Sequence, residues 1–335
     1  MQYARLEAGG NPPEYSAWRR MALEGPQPDP FSCLPEWQLA FHDALDGKRP
    51  LIFISTGESM LALAETTYAD GQIFLQPIEA AWCFGCPLLG RDPVPLLLDA
   101  AESVAAGKNG APVRLVISGI DPKGALARRL VRDLGDVYGI YLHEAGRVCA
   151  ASLRGGVDGW LSRRSANLRA KLKKARRRAC ERGVRFERVN PAGVREARAC
   201  YERMLAVESR SWKGLDGCGM TNDSVRPFYD ALIARTALRR DARVIFARCD
   251  GRDVGFIFGT MADRIYRGQQ FSFDNDWRAF SIGNIMQYET VAWLCEEGAL
   301  RYDMGTITGD RMQYKSHWTE LDFAFQTWVF VKNTN

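Results

Sequence analysis

Histidine is scarce in this chain: His42, His143 and His317 are the only three in 335 residues, and no two are close in sequence. A metal site built on imidazole has little to draw on, and none is expected. The opening MQYARLEAGGNPPEY lacks a basic segment followed by an apolar one, and no run approaches the ~18 apolar residues of a membrane-spanning helix. A cytoplasmic protein without a membrane span is expected. A disulfide framework is also missing, because the nine cysteines are odd in number and irregular in spacing, which fits free thiols in a reducing compartment. Cys83 and Cys86 in AWCFGCP are the one tight pair. Pro87 and the turn-like LLGRDP follow them, where a redox motif needs a helix to lower the thiol pKa. Neither a Walker loop nor G-x-G-x-x-G occurs.

What is present is globular. Apolar content of 46% and charged content of 25% are those of a folded soluble chain, and the length implies two domains of roughly 150 residues each. Residues 1–30, rich in Gly and Pro, predict an irregular arm. From PFSCLPEWQLAFHDAL onward, helical and strand-like runs alternate through VPLLLDAAESVAAG, PVRLVISGI, PKGALARRLVRDLG and VYGIYLHE, which predicts an α/β domain over residues 31–150.

Residues 151–190 change character. They hold thirteen Lys and Arg against three acids, so the net charge of +5 is concentrated here and the rest of the chain is net acidic. Leu161, Ser165, Leu168, Leu172, Ala175 and Ala179 follow four- and three-residue steps, predicting one helix over 158–182 with Asp158 as N-cap and Gly183 as stop. Its other faces carry Lys and Arg. Either they are solvated, or they meet an anionic partner such as tRNA. Few aromatics interleave, so base stacking is not indicated.

The remaining order is strand, two helices, a three-stranded meander ending RIYRGQQFSFD, the loop NDWRAFS, the helix IGNIMQYETVAWLCEEG, the strand RYDMG, TITGDRMQYKSHW and a final strand. A polar loop feeding a glycine at a helix start offers free backbone N–H groups and the positive helix end to a phosphate.

That order resembles the GNAT acyltransferase fold, and in detail the CelD-like branch related to the Fem-type aminoacyltransferases. The resemblance is carried by PFSCLPEWQLAF, the basic SRRSANLRAKLKKARRRACERGVRFERV, ESRSWKG, GRDVGFIFG, FSFDNDWRAFSIGN and RYDMGTITGDRMQYKSHW, and spans most of residues 30–330. It implies two tandem GNAT-like domains, α/β with mixed, largely antiparallel sheets flanked by helices, the catalytic one being residues 151–335 behind an N-terminal one at 31–150. It further implies N-acyl transfer to the amine of a small or cell-envelope-type acceptor, from acyl-CoA or, in the Fem-like alternative, from aminoacyl-tRNA held by the basic helix. A catalytically inactive binding module is the third alternative. The family's donor loop, Q/R-x-x-G-x-G/A, falls on Arg278, Ser281 and Gly283, with Ile282 and Asn284 beside them; serine stands where the pattern has its first glycine.

Amide formation needs a route for the amine proton and donors for the carbonyl oxygen that gains charge. Asp274, at a strand end, is the first candidate for proton removal and Glu208 the second. Lys315 is the candidate for charge stabilisation and Tyr314 for protonating the leaving group. Trp212, Lys213, Gln270 and Trp318 are candidates for the acceptor cleft. Against these stand plainer roles: Asp274 as a turn cap, Tyr314 and Trp318 as an apolar helix face, Trp212 as core.

Overall fold

In the computed structural model, residues 9–307 and 310–333 are described; the first eight positions of the expected arm, and Thr308 and Gly309 of the run ending at Trp318, lie outside them. The chain divides into two compact units, one running up to Arg147 and resuming at Phe323, the other Val148–Asp322.

In the first unit the expected irregular arm contains a helix, α1 (Tyr15–Glu24). Flanking Gly and Pro hide its amphipathic stretch, which buries Trp18 to 1% exposure and lets the indole donate to the Cys33 carbonyl at 2.8 Å. Helix α2 (Pro35–Leu45) starts on proline, whose missing N–H costs nothing in a first turn. Strands β1 (Leu51–Ser55), β2 (Ser59–Thr67), β3 (Ile73–Pro77) and β4 (Leu88–Gly90) follow. Then come α3 (Val94–Gly107), β5 (Val113–Ile120), α4 (Ala125–Leu134) and β6 (Tyr138–Ser152). The expected boundary at 150 therefore falls inside a strand. Cys83 and Cys86 are buried, and burial pushes both thiols up to about 12, the opposite of an activated pair.

The second unit opens with α5 (Gly156–Ser162) and α6 (Ala166–Glu181). The single helix expected over 158–182 is broken, because Ser165 takes an extended conformation and its Oγ accepts from Leu168 N at 3.2 Å, capping a new helix. Asp158 sits in the first turn of α5 and is not a cap. Next come β7 (Arg185–Val189), α7 (Val194–Glu208), α8 (Trp212–Leu215) and α9 (Arg226–Ala237). The meander is β8 (Ala242–Cys249), β9 (Arg252–Ala262) and β10 (Ile265–Phe273). Helix α10 (Ile282–Glu296) and β11 (Arg301–Thr306) complete the unit. The last strand, β12 (Leu321–Lys332), returns to the first unit from Phe323 onward, although the sequence order assigned residues up to 335 to the second.

Each unit has a mixed, largely antiparallel sheet. In the first, β1-β2-β3-β5-β12 lie in that order, with β3 and β5 parallel and β4 paired to β2. In the second, the end of β6 pairs β11, and β10, β9, β8 and β7 follow, with only β10 and β11 parallel. A core beneath α10 gathers Trp160, Leu168, Leu172, Val291, Leu294, Tyr302 and Trp318. Trp160 is fully buried and stacks on Trp318 at 5.5 Å between centroids. Truncation there leaves a large cavity, so Trp160→Ala is expected to lower stability by about 3–5 kcal/mol in denaturant titration.

Candidate active site

The site begins where two strands part. Strand β10 pairs β11 only from Ile265 to Arg267, opposite Arg301 to Asp303. Its register with β9 slips between Gly268 and Gln270, and that of β11 with β6 slips between Asp303 and Gly305. A bulge leaves one residue out of the ladder and bends the strand away. A cleft of about 810 Å³ opens there, lined by the far half of β10, Tyr302 and Met304 of β11, the start of α10, Trp212 and Lys213, and the segment carrying Tyr314, Lys315 and Trp318.

Lys213 lies in this cleft with its side chain 13% exposed. It donates to Gln270 Oε1 at 2.7 Å, and the same amide donates from Nε2 to the Tyr229 hydroxyl at 2.6 Å. Burial lowers the Lys213 pKa while the nearby Glu208 carboxylate, 4.0 Å away, opposes the shift. Lys315 lies in the same cleft and donates to the Thr306 carbonyl at 2.7 Å. Burial brings its ammonium down to about 8, with Arg267 and Lys213 adding repulsion against the opposing pull of Cys149. Tyr314 is pushed up to about 12 by burial and lies 6.3 Å from the Phe271 ring, so its phenol keeps its proton at neutral pH.

Residues 275–280, expected as a loop, form a 3-10 helix that carries Arg278 to the cleft. Ser281 then takes the left-handed conformation, φ 56 and ψ 35, and starts α10. The Ser281 amide donates to the Arg278 carbonyl at 3.1 Å and the Asn284 amide to the Ser281 carbonyl at 3.0 Å. Among the described residues no acceptor meets the amides of Ile282 and Gly283. Gly283 is required for packing, since a Cβ there would stand 2.7 Å from Phe271 Cζ. Arg278, Ser281, Gly283 and Asn284 thus line the cleft, as do Trp212, Lys213, Gln270, Tyr314, Lys315 and Trp318.

Three candidates are placed elsewhere. Asp274, 3% exposed, accepts from Arg210 Nε at 2.8 Å and from Arg252 at 2.5 Å, and its other oxygen caps the Asp276 amide. It is not among the residues lining the cleft. Glu208 is fully buried behind Lys213; it accepts from Ser272 Oγ at 2.7 Å and from the Met220 amide. Gly219, at φ 84, lets the glycine-rich loop close on that carboxylate, for a Cβ there would stand 2.4 Å from Glu208 Oε1. Ile282 turns into the core with Met286 and Val254.

The cleft also holds Gln269, Gln287 and Tyr302, which the sequence reading passed over. Tyr302 donates to Gln287 Oε1 at 2.9 Å. Gln269, in the bulge, has a buried Nε2 with no partner among the described residues.

A mixed sheet parted beside a helix start, with Lys213 and Lys315 across the gap, forms the cleft. Residues 162–316, within the second unit, match the family described as Acetyltransferase (GNAT) domain. The fold is shared with a crystal structure described as a conserved protein of unknown function from Bacteroides thetaiotaomicron VPI-5482 (TM-score 0.67, 10% identity, 99% of this chain and 100% of that one). It is shared also with FemX (TM-score 0.66, 13% identity, 97% of each chain) and with L-PGS from Bacillus licheniformis (TM-score 0.53, 14% identity, 93% and 95%). A sequence search of curated proteins found no match.

Two consequences are measurable. A Cβ in the left-handed region costs about 1–2 kcal/mol, and glycine's chain entropy returns part of that. Ser281→Gly is therefore expected to hold or raise stability by up to about 1 kcal/mol in thermal or denaturant unfolding. Asp274→Asn weakens two charge-assisted bonds and is expected to cost about 2 kcal/mol, read as a shift of the denaturant midpoint at unchanged slope.

Proposed function

We propose that this chain transfers an acyl group from acyl-CoA to the amine of a small or cell-envelope-type acceptor, in the cleft of the second unit. The carrying observation is that one cleft brings together the start of α10, where the Gly283 amide has no acceptor among the described residues, with Arg278 and the lysines Lys213 and Lys315. The Gly283 amide, Arg278 and the positive end of α10 suit an anionic handle. When bound, the donor supplies a carboxyl group activated as a thioester.

The residues of the chain do the rest. Lys315, mostly protonated at pH 7 with a pKa of about 8, offsets negative charge developing on the carbonyl oxygen as the amine nitrogen bonds to the carbonyl carbon. Gln269 offers its unpartnered Nε2 to the same region. Tyr314, protonated at neutral pH, donates to the departing sulfur as the carbon–sulfur bond breaks. Lys213 holds Gln270 in place, while Glu208 fixes Lys213 from behind. Neither Asp274 nor Glu208 lines the cleft, whose lining carboxylate is Asp216; the amine proton passes to solvent water or to Asp216.

A second reading, aminoacyl-tRNA as donor, is supported by Lys171, Lys174 and Arg178, exposed on one face of α6. Retention of charged tRNA that falls steeply with salt would favour it.

Calorimetric titration with acetyl-CoA is expected to give saturable binding that Arg278→Ala weakens about tenfold; no heat at millimolar ligand would remove the acyl-CoA reading. The pH profile tests Lys315. Its pKa is lowered, so the cation is present below about 8 and lost above it; kcat/KM is expected to fall above that pH. Lys315→Met should cost on the order of 10²-fold, and Lys315→Arg should retain charge and abolish the alkaline limb. An unchanged profile in Lys315→Arg would exclude this role.

A further inference from the structure

A second concavity, of about 500 Å³, lies outside the cleft between α6 and α10. Its floor is apolar: Leu161, Leu172, Ile285 and Tyr288. Leu172 and Ile285 are buried at 7% and 1%, so the groove is a built extension of the core and not a solvated seam. Its rim is cationic: Arg169, Lys173, Arg176 and Arg177 stand against the single carboxylate Glu181. The spacing 169, 173, 176, 177 places these four on one side of α6, away from Lys171, Lys174 and Arg178.

The rim is weakly neutralised. Arg177 meets Glu181 at 3.6 Å with both side chains more than 60% exposed, a geometry that water screens. Arg176 lies over the Tyr288 ring at 5.9 Å. Arg169 donates to the Arg164 carbonyl at 2.6 Å. Among the described residues Lys173 forms no ion pair. An RNA backbone would use the cations and leave the apolar floor empty, and Tyr288 is the lone aromatic surface, already covered by Arg176. A small anion would likewise ignore the floor. A ligand that satisfies both parts has a hydrocarbon chain and a phosphate-bearing head.

We propose that this groove docks the chain on an anionic phospholipid surface, one acyl chain lying on Leu161, Leu172, Ile285 and Tyr288 and the headgroup phosphate on the rim cations. The proposal does not rest on acyl transfer in the neighbouring cleft. Binding requires no spanning segment, and no described helix is long and apolar enough to cross a membrane.

The test is cosedimentation of the intact chain with vesicles of phosphatidylcholine alone and of phosphatidylcholine with phosphatidylglycerol, at about 0.1 M salt, with tRNA in a separate arm. Binding to the anionic vesicles and not to the neutral ones is expected. The double variant Lys173→Glu and Arg177→Glu, at exposed positions, should lower that affinity by about tenfold or more. The exposed thiol Cys180 lines the groove, so a polarity-sensitive fluorophore attached there should shift to shorter wavelength on anionic vesicles, with the signal absent in Cys180→Ser. Equal partition onto neutral vesicles, no vesicle binding, unchanged affinity in the double variant, or retention of tRNA without vesicle binding would each overturn the proposal.

Discussion

The parting of β10 from β11 beyond Arg267 and Asp303 is the constraint on which the second unit's chemistry depends. Up to that rung the strands are held by the parallel ladder, and Asp303, fully buried, is gripped by Arg301 through two bonds at 2.6 and 2.7 Å. A buried carboxylate fixed this way resists displacement, because losing its partner would leave an uncompensated charge. Past it the β10–β11 ladder ends, with register slips at Gln269 and Met304, while β10 stays paired to β9 and β11 to β6. Polar side chains that a continuous sheet would have sent to its faces are instead presented to a gap.

Into that gap the fold places Lys213, Lys315 and Arg278, with Asp216 as the carboxylate among the lining residues. Two nearby carboxylates are committed elsewhere: Glu208 to Ser272, Met220 and Lys213, Asp274 to two arginines and a cap. Lys213 and Lys315 lie largely out of solvent, and burial lowers both their pKa values. A region of this kind stabilises negative charge on whatever enters it more than bulk water does, because its dipoles are already oriented.

Helix α10 connects the features of the unit. Gly283 and Asn284 of its first turn line the cleft, Ile282 and Met286 anchor it in the core, and Ile285 and Tyr288 form the floor of the separate groove on α6. Gly283 makes this possible, since only a residue without Cβ fits against Phe271 at that approach. The three faces of one helix therefore carry three different tasks.

The local pattern of the sequence determined the order of strands and helices in the second unit and the concentration of basic charge on one segment, because these depend on neighbours along the chain. Ten of the residues it nominated do meet in one cleft, since local chemistry placed them at strand ends, a helix start and a loop. Only the tertiary structure decided that Asp274 is locked by Arg210 and Arg252, that Ile282 points into the core, that Ser165 splits the basic helix, and that β12 joins the first unit. Those outcomes turn on groups distant in sequence competing for the same hydrogen bonds and the same buried volume, and a competition of that kind leaves no mark on the local pattern of residues.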